Sequence, residues 1–132
     1  MSVRALNAVE VKDRWGELEP RFHRALEYDP MDLKTTHIID GVLDGEMIIL
    51  ELDSTIMAIE IKGARGSRIA NIVAFEGEDG LQCFHAYDDI LCAIALEQRC
   101  DQLMLMGRKG WRRALKAWGW VEASTILVKR IH

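Results

Sequence analysis

The segment LMLMGRKGWRRALKAWGW, residues 103–120, decides the predicted fold. Its four leading apolar residues indicate a strand, and Gly107 and Gly110 mark a turn after it. An apolar stripe then recurs at the helical spacing i, i+3, i+4 and i+7: Trp111, Ala114, Leu115 and Trp118. Gly119 stands where a C-cap glycine ends a helix. The segment therefore predicts a strand, a turn and a short amphipathic helix whose tryptophans lie in the core.

The other sides of this predicted helix and the turn before it are basic: Arg108, Lys109, Arg112, Arg113 and Lys116. Residues 107–132 carry seven Lys/Arg against one acid, although the whole chain has a net charge of −4. This asymmetry predicts a basic patch that binds something anionic: a cofactor phosphate, an acidic partner surface or nucleic acid. Nucleic acid is not favoured, because no nucleic-acid-binding motif accompanies the patch. Binding that falls steeply with salt would indicate it.

The composition predicts a single domain that spans residues 1–132. Hydrophobic residues make up 49% of the chain, as in globular proteins, and no apolar run is long enough for a membrane helix. The N-terminal residues also lack the apolar segment of a secretory leader. We therefore expect the protein in the cytoplasm of its cell, or in a particle assembled there.

The cysteines and histidines do not predict a metal site or a disulfide framework. Cys83, Cys92 and Cys100 are odd in number and lack a CxxC spacing. The four histidines are scattered along the chain. We expect reduced and mostly buried thiols, and no metal.

Two helical regions are predicted before the first strand. The apolar pattern of residues 9–27 indicates either two short helices or one kinked helix, because Pro20 breaks a helix interior or sits in a first turn. Asp32 is a candidate N-cap for the next helix, which Gly45 can end.

Three strands follow in quick succession: Met47–Leu52, Thr55–Ile61 and Arg68–Phe75. Asp53 and Ser54 form a tight-turn signal, and residues 62–67 form a loop. Connections this short predict an antiparallel meander.

A long central helix is predicted over residues 81–99, followed by the strand Leu103–Met106. A helix that connects two strands of one sheet indicates a parallel, right-handed crossover. Asp88 and Asp89 are a paired-carboxylate candidate, but adjacent residues on a helix diverge by about 100° and are better explained as a solvated edge. The chain is predicted to end with a strand over Val121–Ile131.

The resulting order α-α-β-β-β-α-β-α-β, with a mostly antiparallel mixed sheet, resembles the GNAT fold of acyl-CoA-dependent N-acyltransferases. The C-terminal third is also similar to small GNAT-like proteins encoded by bacteriophages. The residues that carry this second resemblance are CDQLMLMGR at 100–108, GWR at 110–112, Gly119, Trp120 and Lys129. The resemblance to the GNAT fold covers nearly the whole chain.

In GNAT enzymes the loop after the third meander strand holds the CoA pyrophosphate through backbone N–H groups at a helix N-terminus. The resemblance places this loop at residues 76–82 and implies cofactor contacts from four residues: Gly77, Gly80, Leu81 and Gln82. Glu76, Glu78 and Asp79 put negative charges at the same place. Each like-charge contact about 4 Å long costs about 4 kcal/mol near a protein surface, against about 8 kcal/mol for micromolar affinity. The same acids could instead favour the helix N-terminus.

The usual tyrosine acid of the GNAT enzymes has no counterpart in this sequence, because tryptophans occupy its region. Glu76 is the remaining candidate for a general base, and could equally be a loop carboxylate. The sequence therefore predicts the fold more clearly than the catalysis, and a fold does not by itself define a function.

Two functions follow from these observations. The favoured hypothesis is a bacteriophage protein with a degenerate acyl-CoA site that acts in the virion or its assembly. It would have no cofactor and would bind other phage proteins, or itself, through the basic 108–116 face, in the bacterial cytoplasm or the phage particle. The alternative is an acyl-CoA-dependent N-acyltransferase that uses acetyl-CoA, with Glu76 as the base and pantetheine beside Leu103–Met106.

Overall fold

The computed structural model describes residues 3–27, 29, 31–64, 66–78, 80–106, 111–123, 127–129 and 131. Eleven elements lie in these ranges: β1 (Val3–Leu6), α1 (Ala8–Asp13), α2 (Trp15–Ala25), α3 (Thr35–Leu43), β2 (Met47–Leu52), β3 (Thr55–Ala64), β4 (Ser67–Glu76), α4 (Gln82–Ala86), α5 (Asp88–Glu97), β5 (Gln102–Leu105) and α6 (Trp111–Lys116). This confirms the predicted order of elements: two helical regions, three strands, a helical region, a strand and a short helix.

The strands form one sheet in the order β1-β2-β3-β4-β5. The pairs β1–β2, β2–β3 and β3–β4 are antiparallel, which confirms the predicted meander. β5 runs parallel to β4, which confirms the predicted parallel arrangement of these two strands. The two parallel strands pair from Ile69↔Gln102 to Ile72↔Leu105. β4 continues beyond this pairing as far as Glu76.

A bulge in β4 decides which way its last residues face. Ile59 lies opposite Ile72, whereas its neighbour Ala58 lies opposite Ala74, so Val73 is an extra residue in β4. An extra residue reverses the alternation of side chains between the two faces of a strand. Ala70 and Ile72 accordingly pack with α4 and α5, whereas Ala74 packs with the N-terminal helices.

Helices cover both faces of the sheet. The N-terminal layer is α1 to α3, whose core includes Val11, Leu18, Phe22 and Ile38. The C-terminal layer is α4 to α6, whose core includes Cys83, Phe84, Leu91 and Leu115. The strands between them read as nearly continuous apolar runs because both of their faces are buried.

Strand β1 was not predicted. It is four residues long, contains Arg4, and pairs with β2 at the edge of the sheet. Asn7 ends it and starts α1 through a capping box with Glu10. Backbone pairing with β2, rather than an apolar pattern of its own, makes this segment a strand.

The prediction that Pro20 breaks the helix or sits in its first turn is wrong. Pro20 is the sixth residue of α2, and the chain is interrupted earlier, at Arg14, which joins α1 to α2. A proline removes the hydrogen bond to the carbonyl four residues before it, here that of Gly16. Both residues are exposed, so water can solvate that carbonyl.

The predicted N-cap at Asp32 is also wrong. Asp32 has a φ of 52°, and α3 begins three residues later with Lys34 as its N-cap. Asp29 organises this turn, because its carboxylate accepts hydrogen bonds from the N–H of Leu33 (2.8 Å) and Met31 (3.2 Å). Gly45 follows the end of α3 with a φ of 77°, as predicted.

The predicted long helix is divided into α4 and α5 at Tyr87, whose φ of −113° and ψ of 21° leave the helical region. Tyr87 is buried, and its hydroxyl donates a hydrogen bond to the carboxylate of Asp53 in the turn between β2 and β3. The predicted last strand is not found in the described part of Val121–Ile131, namely 121–123, 127–129 and 131. The rest of that prediction lies outside the described residues. Strand propensity alone does not supply a pairing partner.

Candidate active site

The loop after β4 is the feature that the resemblance singled out. Gly80 has a φ of 54°, and the space that a Cβ would occupy is open. Gly77 differs, because a Cβ there would lie 2.7 Å from the Cα of Thr55 and would overlap its side chain. Gly77 is thus needed for close packing of the loop on β3, whereas Gly80 leaves the backbone of the loop accessible.

The loop leads directly into α4. Leu81 is the N-cap residue and makes no side-chain capping bond, and Gln82 is the first residue of the helix. The N–H of Cys83 donates to the carbonyl of Gly80 at 3.3 Å. Glu78 is exposed, and Asp79 lies outside the described residues. Gly80, Leu81 and Gln82 are therefore consecutive at the start of α4, whereas Gly77 lies three residues before Gly80, next to the exposed Glu78.

Glu76, the candidate base, is the last residue of β4 and faces α2 because of the bulge at Val73. Its Oε2 accepts a hydrogen bond from Nε of Arg21 at 2.5 Å, and its Oε1 lies 3.5 Å from Nη2 of Arg24. Both carboxylate oxygens are thus engaged by guanidinium groups. Its location at the strand end next to the loop is the one that the resemblance implied.

Arg21 connects three parts of the chain. Besides the Glu76 carboxylate, its Nη2 donates to the carbonyl oxygens of Ser54 (2.6 Å) and Glu76 (3.1 Å). Helix α2 is thereby joined to the β2–β3 turn and to the point where the loop begins. Arg21 was not predicted as a site residue, because nothing in the spacing of Arg21 and Glu76 indicates that they meet.

The β2–β3 turn is also held from the opposite face. Asp53 accepts the hydrogen bond from Tyr87, at the junction of α4 and α5, and has a φ of 54°. The sequence predicted the turn at Asp53 and Ser54, but not its hydrogen bonds with Arg21 and Tyr87. Both ends of the loop–helix segment are therefore attached to the same two-residue turn.

An aromatic cluster lies under the loop on the C-terminal layer. Phe84 packs edge-on against Phe75 with ring centroids 4.7 Å apart, and against Trp120 at 5.8 Å. Trp111 lies 5.5 Å from Phe75. Trp111 and Trp118 pack on the core of this layer, as predicted for the tryptophan stripe, and Trp120 packs there too. Leu103 and Leu105 of β5 pack on the same core.

The basic face is described only in part. Arg113 and Lys116 are exposed on α6. Arg108, Lys109, Gly107, Gly110 and the side chain of Arg112 lie outside what the structure describes. The predicted partner-binding function of this face therefore stays a prediction.

A half-open groove of about 360 Å³ separates α4 and α5 from the end of α6. Asp88, Asp89, Ala117 and Trp118 line it, and the ring of His85 stacks on Trp118 at 5.2 Å. Partial burial, together with Asp88 and Asp89, raises the pKa of the nearby Cys92 thiol and so disfavours its thiolate. Asp88 is half-buried and Asp89 exposed, in keeping with a largely solvated edge.

The described residues contain no group of three or more His, Cys, Asp or Glu side chains placed to bind a metal ion. None of the described helices combines the length and apolar composition that a bilayer crossing needs.

Comparison with solved structures identifies the fold. A ribosomal-protein-alanine N-acetyltransferase from Brucella melitensis biovar Abortus 2308 aligns over 99% of this chain and 100% of its own, with a TM-score of 0.67 and 14% identity. A predicted acetyltransferase from Clostridium acetobutylicum, solved with acetyl-CoA, aligns over 98% and 96%, with a TM-score of 0.71 and 15% identity. An aminoglycoside acetyltransferase from an uncultured soil metagenomic sample aligns over 99% and 96%, with a TM-score of 0.68 and 10% identity.

The described part of the chain therefore has the GNAT acetyltransferase fold, as the sequence predicted. No protein-family model and no curated protein matches the sequence. At these identities the likeness defines the fold alone. None of the comparisons bears on the bacteriophage or virion hypothesis, which stays a prediction.

Proposed function

We propose that the chain is an acyl-CoA-dependent N-acyltransferase that transfers an acetyl group from acetyl-CoA to an amine. One observation carries the proposal: β4 and β5 run parallel, stop pairing after Ile72 and Leu105, and β4 then leads through a glycine loop into α4. The acetyltransferases that share this fold, one of them solved with acetyl-CoA, favour this function over a purely structural one.

The accessible backbone at Gly80 fits a cofactor phosphate. Because a Cβ at Gly80 would meet no other atom, the loop leaves room for an anion to reach its N–H groups. In this proposal Gly77, Gly80, Leu81 and Gln82 hold the pyrophosphate through their backbone. Glu78 opposes it, so we expect weak binding, in the high micromolar to millimolar range, which corresponds to about 4–6 kcal/mol.

The pantetheine arm would lie where β4 and β5 separate, next to Leu105 and the aromatic cluster. Acetyl-CoA supplies the thioester. The amine nitrogen bonds to the acetyl carbon, the C–S bond breaks, and CoA leaves as its thiolate. Glu76 takes the proton that the nitrogen loses. For this, one carboxylate oxygen must turn from its guanidinium partner toward the amine; the longer contact, to Arg24, is the easier one to give up.

Calorimetry with acetyl-CoA tests the proposal. We expect saturable binding by the wild-type chain and at least a tenfold loss in Gly80→Val, whose side chain would fill the open space beside the loop. Gly16→Ala, at an exposed position of α2, is the matched control and should bind as the wild type does. No binding at millimolar acetyl-CoA would refute the proposal.

The virion hypothesis remains the second candidate. The exposed cations Arg113 and Lys116 and the exposed acid Glu78 favour it, as does the tryptophan-rich region where the GNAT enzymes have a tyrosine. Surface charges of this kind suit docking to an oppositely charged neighbour. Mass spectrometry of purified phage particles tests it, and absence of the protein from the particles would exclude it.

A further inference from the structure

Glu76 is flanked by two arginines of α2 that do different things. Arg21 is 24% exposed and donates to three oxygens, two from Glu76 and one from Ser54. Arg24, one turn later, is 59% exposed, and its single ion pair with a described residue is the 3.5 Å contact to Glu76. Arg21 therefore fixes the carboxylate. Arg24 lies at the surface and contacts Glu76 through one nitrogen of its guanidinium group.

This arrangement matters for any amine that reaches Glu76. A guanidinium group has five N–H donors in a planar fork, and only one side of Arg24 faces Glu76. An amine that carries additional positive charge is repelled by Arg21 and Arg24, the two cations beside Glu76. A molecule that carries a carboxylate finds in Arg24 a partner whose planar fork matches it.

We propose that Arg24 is a specificity-determining residue that binds the carboxylate of the acceptor, so that the preferred substrate is an amine that also carries a carboxylate, such as a free amino acid. Arg21 is the positioning residue that keeps Glu76 and the start of the loop in place. This inference rests on the proposed acetyl transfer with Glu76 as base. It excludes polyamines and aminoglycosides as preferred acceptors.

The test measures thiol release from acetyl-CoA with α-amino acids and with their carboxamides, which differ only in the carboxylate. The wild type should prefer the amino acid. Arg24→Gln should raise KM for the amino acid about tenfold to a hundredfold, the range for a hydrogen bond to a charged group. Arg24→Gln also removes the contact to Glu76, so the resulting change in kcat should be the same for the amino acid and its carboxamide, and only the KM for the amino acid should rise this much. Arg24→Lys should restore part of the preference.

Lys12→Gln removes an exposed cation from α1 and is the control, with kinetics expected to equal those of the wild type. If the wild type uses amino acids and carboxamides equally, or if Arg24→Gln raises KM for both alike, the inference is wrong although the acetyl transfer stands. If the wild type neither binds acetyl-CoA nor releases thiol with any amine, both the proposed function and this inference are wrong.

Discussion

The two helical layers on the sheet are joined to it by different forces. The C-terminal layer packs through aromatic rings, with Phe84 between Phe75 and Trp120. The N-terminal layer has an apolar core too, but its rim is tied to the strands by ion pairs, Arg14 with Glu51 and Arg21 with Glu76. Apolar burial stabilises a fold more than partly exposed ion pairs do, whereas ion pairs fix the geometry of the groups they join.

The difference assigns separate roles to the layers. The aromatic layer should supply more of the stability around the loop. The ionic rim should set the orientation of Glu76 and of the turn at Ser54, which are the groups that the proposed chemistry needs. Substitutions in the two layers should therefore differ in size and in their response to pH.

Phe84→Ala is expected to cause the largest loss of stability. Phe84 is fully buried under the loop, and its removal leaves a cavity between two other rings. We expect the free energy of unfolding to fall by about 3–5 kcal/mol in urea denaturation. Leu96→Ala, at a position of α5 that is 72% exposed, should stay within about 0.5 kcal/mol of the wild type. Equal losses at both positions would contradict the importance of the aromatic layer.

A smaller loss of stability is expected from a substitution at Gly77, where the loop packs on β3. Gly77→Ala would push a methyl group against Thr55, which is buried and has backbone within 2.7 Å. We expect a loss of about 1–3 kcal/mol, the usual cost of overpacking. Gly16→Ala has open space in a helix and should gain up to about 1 kcal/mol. A neutral Gly77→Ala would mean that the loop yields easily, and that its glycine is there for a ligand.

The aromatic layer was largely predictable from the sequence, because its signals are local. The spacing of Trp111, Leu115 and Trp118 indicated a stripe facing the core, and the closely spaced apolar runs of the meander indicated antiparallel strands. The extra residue at Val73 was not predictable, since a bulge depends on the pairing between strands rather than on one strand's pattern. Without it Glu76 would face α4, and the site would have a different partner.

The ionic rim was not predicted at all. Arg21 and Glu76 are 55 residues apart, and charged residues on a helix usually indicate only a solvated face. The break at Tyr87 was missed for the same reason, because it accompanies a bond to Asp53 from a distant turn. Glu76 itself was found only through the resemblance to a known fold, which supplied the long-range order that the chain's local patterns lack.

The smallest expected effect is the pH dependence of the ionic rim. Arg14 donates to both oxygens of Glu51 at 2.8 Å and to Glu17 at 2.6 Å. These bonds lower the pKa of Glu51 and of Glu17 below the ordinary glutamate value of about 4.3. A carboxylate whose pKa is lower in the folded chain stabilises that chain above the unfolded pKa. The stabilisation is lost as the pH falls through the folded value.

Glu51→Gln should therefore reduce the free energy of unfolding at pH 7 by about 1 kcal/mol, a value limited by the partial exposure of the pair. The gap between wild type and variant should be constant down to about pH 5 and close progressively at lower pH, because protonation removes the same charge from the wild type. Urea denaturation across this range measures it. Glu97→Gln, exposed on α5, should run parallel to the wild type throughout. A Glu51→Gln curve that also stays parallel would mean that the ionic rim aligns the N-terminal layer without stabilising it.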